Sequence, residues 1–242
     1  MQSEDVMLFF HTDPIPKKDN PSHRHNDLTS FVLYYKGKPI LIDIGRFNYS
    51  IDDPIGSYGY SAEAHNCLTV DKLGPQAGIN NRRLPDFYRS SKVTTDYSID
   101  SKWFEFIIEH NGFCRIFGDP VKHTRTFKLC NGCFSLEDKL MGKKNHKIKT
   151  LFHWNHDLRL IKNDEGSFKV DNFIDQQFEG LFRCQNDGIY EGNFQSTLIK
   201  NNNNGMGYYF PNYGIKEEIT TLVFSQDEKL PIVNKYSFEW NS

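Results

Sequence analysis

The sequence predicts an all-β protein, a large two-sheet antiparallel sandwich, and three observations predict it. Short runs rich in β-branched and aromatic residues recur along the chain, separated by Gly, Asn, Asp or Pro turns. No window sustains the i, i+3, i+4 apolar spacing of an amphipathic helix. A length of 242 residues, 38% hydrophobic and 14% aromatic, supplies enough apolar surface for one large core. Residues 1–242 therefore read as one sandwich domain.

The elements follow in order. SFVLYY (30–35) and PILIDIG (39–45) read as a hairpin around Lys36-Gly37-Lys38, and NCLTVD (66–71) as the next strand. WFEFIIEH (103–110), CRIFG (114–118), RTFKL (125–129), FSLEDKL (134–140) and KIKTLFHW (147–154) continue the pattern. LRLI (158–161), SFKVD (167–171), QSTLI (195–199), GMGYYF (205–210) and TTLVFS (220–225) bring the set to about a dozen strands. Asn131-Gly132 between Cys130 and Cys133 is a strong two-residue hairpin signal, so this CxxC reads as the strand ends flanking a turn rather than as a redox or zinc motif. A second CxxC that would complete a zinc site is missing, and five cysteines leave at least one thiol free. The polar run Asn201 to Gly205 reads as an exposed loop tip.

A formal net charge of −2 gives no electrostatic reason to expect nucleic acid or an anionic membrane as a partner. The sequence has neither an apolar run of membrane-spanning length nor a signal peptide at its start. The expected location is thus either the cytoplasm or, as part of a longer exported protein, the periplasm or exterior.

The segment PSHRHNDLTSFVLYYKGKPILIDIGRFNY (21–49) concentrates polar chemistry in a hairpin. With the turn at Lys36-Gly37-Lys38, antiparallel pairing sets Leu33 opposite about Leu41 and brings Asp43 near Ser30. His25 meets Asp43 only if Asn26 to Thr29 folds back as a turn, which Asn and Asp favour. His65, at the opening of the next strand, offers another imidazole. His25, Asp43 and His65 together make a donor set suited to zinc with water in the fourth place. Each also has an ordinary reading as a capping, surface or turn residue.

The motif HxHxDxxSFxLxYxGKPxLxDxG followed by HNxxTVD resembles the C-terminal sandwich of the heparinase II/III family of polysaccharide lyases. It stands here as His23-Arg24-His25-Asn26-Asp27, Gly37-Lys38-Pro39, Asp43-Ile44-Gly45 and His65-Asn66-Cys67-Leu68-Thr69-Val70-Asp71. Less specific similarity runs through Gln76, His110 to Phe113, His123 to Thr126 and Glu137 to Leu140. The resemblance implies one zinc per chain on His25, Asp43 and His65, with His23 facing substrate. It also implies periplasmic or secreted action on an acidic polysaccharide. Tyr60 and Ala62 stand where the family often has Arg and Thr. The predicted elements include no counterpart of the family's N-terminal α/α-toroid, so a toroid domain or chain is an implied partner.

β-Elimination from a uronic-acid polymer, glycosaminoglycan-like or alginate-like, needs three things: a group that neutralises the carboxylate, a base for the C5 proton and an acid for the departing oxygen. His23 suits a proton-transfer role, since imidazole titrates near neutral pH. Tyr58, Tyr60 and Tyr88 are local candidates for the other roles, and Arg82, Arg83 and Arg89 for holding a carboxylate or sulfate. The competing expectation is a metal-stabilised carbohydrate-binding or accessory sandwich without chemistry of its own, stacking sugars on aromatics such as Trp103, Trp154, Tyr208 and Tyr209.

Overall fold

A computed structural model describes residues 2–3, 5–14, 25–76, 92–100, 103–130, 132–164, 166–172, 178–186, 195–200 and 204–240. Two eight-stranded antiparallel sheets face each other, as the strand pattern predicts. The first runs β1 (Gln2–Ser3), β2 (Val6–Phe10), β3 (Phe31–Tyr35), β4 (Lys38–Leu41), β10 (Asn145–Trp154), β17 (Thr220–Lys229) and β14 (Gln195–Ile199), with β5 (Leu68–Val70) also pairing to β10. The second runs β11 (Leu158–Asp164), β12 (Ser167–Asn172), β13 (Glu179–Asn186), β18 (Ile232–Trp240), β9 (Cys133–Met141), β8 (Lys122–Cys130), β7 (Trp103–His110) and β6 (Val93–Ile99). A separate pair, β15 (Tyr208–Tyr209) and β16 (Glu217–Glu218), lies outside both sheets.

Alternation of side chains across each strand makes the core. β8, β9 and β18 bury every second residue, and their inward rings meet those of the opposite sheet. Phe31, Phe127, Phe134, Phe152, Phe182, Phe224, Tyr236 and Phe238 form the centre of this layer, with Trp154 beside them. β10 departs from alternation: Thr150 to Trp154 are all buried. Phe152 and Trp154 belong to the inter-sheet core, whereas Leu151 belongs to a second cluster with Ile42, Ile44, Tyr58, Tyr208, Phe210 and Val223. The first sheet is therefore covered on both faces, and the candidate site lies at this second layer.

The register of the first hairpin matches the expectation, with Leu33 opposite Leu41. Its turn is tighter than Lys36 to Lys38, because Tyr35 pairs with Lys38 and only Lys36 and Gly37 turn, both left-handed at φ 48° and 74°. Cys130 and Cys133 face each other across the second hairpin, as expected, and are in addition joined as a disulfide. Cys67, Cys114 and Cys184 are free thiols.

Some expectations need correction. CRIFG is no strand: Gly112–Arg115 is a single 3-10 turn, closed by Ile116 N donating to Phe113 O at 3.1 Å. A short helix, Pro54–Tyr58, is capped by Asp53, whose carboxylate accepts from Ile55 N, and carries Pro at its first position. Trp154 and Tyr208 are core residues at 0% and 8% exposure, which removes them as sugar-stacking surfaces. Among the described residues no helix is long and apolar enough to cross a membrane.

Candidate active site and metal centre

Three segments bring His25, Asp43 and His65 together. Past β4 the chain stays beside β10 for one residue, Ile42 N donating to His153 O at 2.9 Å, and then turns away at Asp43. Asp43 makes its own turn, its Oδ1 accepting from Gly45 N at 3.0 Å. Gly45 is left-handed at φ 72°, and a Cβ there would lie 2.6 Å from the Phe210 carbonyl, so only glycine passes. The other carboxylate oxygen of Asp43 meets His65 Nδ1 at 2.6 Å. His65 closes the 3-10 turn Ala62–Ala64, its N–H donating to Ala62 O.

The return of His25 uses the turn that the sequence requires. Ser30 N donates to Asp27 O at 2.8 Å and Thr29 is left-handed at φ 69°. Asn26 fixes the approach: its side chain accepts from Gln76 N and donates to Gln76 O, both at 2.8 Å, while its N–H donates to Tyr60 O. The His25 ring ends 5.3 Å from the His65 ring and 5.4 Å from Tyr60, centroid to centroid.

Asn66, next to His65, ties the site to the sheet. Its Nδ2 donates to Phe31 O at 2.7 Å and Ile42 O at 3.0 Å, and its Oδ1 accepts from His153 N at 2.7 Å. Arg125 reaches across from β8, where one guanidinium nitrogen donates to both Thr29 O and Asn66 O at 2.9 Å. The rest of that guanidinium grips Asp138 bidentately at 2.7 and 2.8 Å. His123 bonds the same carboxylate at 2.8 Å, and His110 bonds His123 at 2.8 Å. Every member of this chain is buried. Burial penalises the Asp138 charge, but Arg125 and His123 outweigh it and hold the carboxyl well below its usual range.

The electrostatics separate the two imidazoles. Burial and then the neighbouring His65 charge push His25 down to about 4, so it is a neutral base at pH 7. Burial opposes charge on His65, yet Asp43 outweighs it and the net shift is upward. Burial raises Asp43, but His65 overcomes that and brings the carboxyl down to about 2. His65 Nε2 is buried without a hydrogen-bond partner among the described residues, a state that calls for a cause.

This donor set suits the implied zinc in its chemistry. Two imidazoles on one tetrahedral zinc, bound at roughly 2.0 Å, would hold their centroids about 5 Å apart, and the His25 and His65 rings stand at 5.3 Å. Asp43 is engaged with His65 itself, however, and among the described residues no three His, Cys, Asp or Glu side chains close up as a ready cage.

His23, Tyr88, Arg82, Arg83 and Arg89 lie outside the described residues. Tyr58 is buried, with its hydroxyl donating to Glu63 O at 2.6 Å, so it presents no hydroxyl to a substrate. Tyr60 adjoins the site as noted. Sequence reasoning missed Arg46, three residues after Asp43, whose guanidinium carbon lies 3.6 Å from the Tyr60 ring centre and 3.9 Å from that of Tyr49. An arginine directly after the Asp-Ile-Gly turn was the available signal. A cleft of about 910 Å³ opens at Asp43 between β3, β4 and the Asn155 to Leu158 turn, with Tyr34, Lys36, Lys38 and His156 in its walls.

The sequence profile of the family described as "Heparinase II/III-like, C-terminal" matches residues 1–235. Among curated proteins none matches. Similar solved structures include a mutant of the heparan sulfate lyase HepC from Pedobacter heparinus, at TM-score 0.73 and 13% identity over 98% of this chain and 33% of that one. The unmutated HepC gives 0.67 and 14% over 91% and 31%, and a structure named heparinase III gives 0.67 and 14% over 90% and 30%. At these identities the likeness is one of fold, and the chain spans about a third of the length of each.

Proposed function

Because the chain belongs to the heparinase II/III-like C-terminal family, we propose that it is the sandwich part of a polysaccharide lyase that cleaves a uronic-acid-containing polysaccharide by β-elimination. The observation that carries this reading is the convergence of His25, Asp43 and His65 from three separate segments, beside Arg46 and Tyr60.

His23 is the proton-transfer residue in this reading, two positions from His25. His25, Asp43 and His65 would hold zinc. When bound, the ion supplies a fixed positive charge that orders the site and favours negative charge developing on the sugar. His25 serves as a neutral nitrogen donor at pH 7, consistent with burial pushing it down to about 4. Arg46 offers a planar guanidinium for a sugar carboxylate or sulfate. The Asn66 and Arg125 bonds fix the backbone on either side of these residues, which limits how far the side chains can drift from a reactive pose.

The sandwich spans about a third of the lyases it is similar to, so the remaining proton-transfer and carboxylate-binding roles fall to a toroid domain or chain. The test is growth of the ultraviolet absorbance of the unsaturated uronate from heparan sulfate and alginate, with this chain alone and with a cognate toroid supplied. Product only in the second case supports the reading. Absence of product in both, across the acidic polysaccharides tried, removes it.

A further inference from the structure

Tyr49 and Tyr213 come from loops far apart in sequence, yet their rings meet at 5.1 Å, tilted by 35°. Each is 55% exposed and belongs to none of the buried clusters. Directly below, Phe47 packs on Phe210 at 5.5 Å within the second cluster. Backbone bonds hold the two loops together: Phe210 N donates to Ile44 O at 2.7 Å and Gly214 N to Phe47 O at 3.0 Å. Gly214, left-handed at φ 73°, lets the second loop turn at Tyr213. Asn48 adds a brace, bonding Asp53 at the start of the short helix and accepting from Ser50 N. The pair is thus an exposed aromatic surface on a pre-formed base.

Its neighbours connect it to the candidate site. Arg46 lies against Tyr49 and Tyr60, and Tyr60 meets His25 edge-on. Arg46 Nε donates to Asn48 O at 3.1 Å, and among the described residues its Nη2 has no hydrogen-bond partner and no carboxylate pairs with it. Exposed rigid aromatic rings present an apolar face to the C–H face of a sugar while their hydroxyls stay wet. A guanidinium beside them with no carboxylate partner among the described residues favours an anionic sugar.

We propose that Tyr49 and Tyr213 form a sugar-stacking subsite that takes a pyranose ring of an acidic polysaccharide, held next to the Arg46 charge and leading toward His25. This rests on the lyase reading for its ligand class, but binding and cleavage can be tested apart. Isothermal titration of the chain with heparan sulfate and alginate tetrasaccharides at one fixed salt concentration is the first arm. Tyr213→Ala should raise Kd about tenfold, the loss of one aromatic contact, with an unchanged melting temperature. Tyr213→Phe should bind as the parent does. Tyr213→Leu keeps apolar bulk without a ring, and should also weaken binding if alanine loosens the loop. Equal affinity in the parent, Tyr213→Ala and Tyr213→Leu overturns the subsite, as does a parent chain that binds neither tetrasaccharide. The second arm is turnover with the toroid supplied, where Tyr213→Ala should raise KM and leave kcat. Ring-dependent binding without any product keeps the subsite and removes the lyase reading. Product with an unchanged KM does the reverse.

Discussion

His65 carries two demands at once: its Nδ1 is committed to Asp43, and its buried Nε2 has no partner among the described residues. If it shares zinc with His25 and Asp43, protein purified without chelator should contain about one zinc per chain. His25→Ala and Asp43→Ala should each lower zinc content and melting temperature together, read by elemental analysis and thermal unfolding. Metal-free parent protein whose stability is untouched by both substitutions would refute the site. A second prediction concerns Asp138, which is fully buried and holds Arg125 and His123. Asp138→Asn leaves the guanidinium charge uncompensated, and should cost roughly 3–5 kcal/mol in denaturant unfolding. A cost within about 0.5 kcal/mol, the range of ordinary surface changes, would mean that the pair is not what holds Thr29 and Asn66. That His25, Asp43 and His65 come together was legible because their spacing among apolar strands matches a family motif. Arg46 was signalled only by its place directly after the Asp-Ile-Gly turn, since its position in the site depends on the Gly45 turn and on Tyr49 and Tyr60 packing against it. The buried chain from His110 to Arg125 showed only as scattered polar residues in strands, because pairing across β7, β8 and β9 is what aligns them.

At the scale of elements, the glycine hairpins were readable down to their register. Tyr35 to Lys38 and Cys130 to Cys133 close as their Gly turns dictate. β6, VTTDYSI, was passed over because it is an edge strand whose residues are almost all exposed, so it lacks an apolar alternation to see. β18 alternates strictly, but Asn234 occupies one of its buried positions and interrupts the apolar signal. CRIFG looked like a strand on composition, but its first two residues close the 3-10 turn Gly112–Arg115. Elements are also joined by His146 at the start of β10, held between Asp71 at 2.7 Å and Asp119 at 3.0 Å. Asp119 also accepts from Lys143 N and Lys144 N, both at 2.7 Å, which fixes the turn between β9 and β10. Burial opposes charge on His146, but the two carboxylates outweigh it and raise its pKa. A raised histidine stabilises fully below its unfolded value of about 6.5 and loses that contribution as pH rises through the folded value. Asp119, brought down to about 2 first by His146 and then by Lys143 N, contributes above an unfolded value of about 3.9 and loses it in acid. The melting-temperature gap between the parent and His146→Gln should therefore be widest between about pH 4 and 6.5 and shrink on both sides. A gap that widens steadily toward pH 9 would contradict the assignment.

As a whole molecule, the sandwich buries one aromatic layer between its sheets and a second outside the first sheet. The second layer exists because Gly45, Phe210 and the short Pro54–Tyr58 helix fold back over β10 and β17. That layer seats Asp43 and His65, and it places Arg46, Tyr49 and Tyr213 at the surface in sequence from the candidate site outward. The two-sheet fold class was legible from the recurring β-rich runs, the lack of helical spacing and the length and apolar content of the chain. The second layer was not, because loops that pack through single glycine passages leave no period in the sequence. The central claim is that this face is one wall of a lyase site whose chemistry runs through His23. The most direct measurement is the initial rate of unsaturated-uronate formation by the chain with its toroid supplied, for the parent and for His23→Ala, with zinc content determined on the same samples. The account predicts that His23→Ala keeps its zinc and its fold and loses at least a hundredfold in rate, the upper range of a general acid–base contribution being about 10⁴. An undiminished rate with His23→Ala, or loss of zinc in that variant alongside loss of rate, would contradict it.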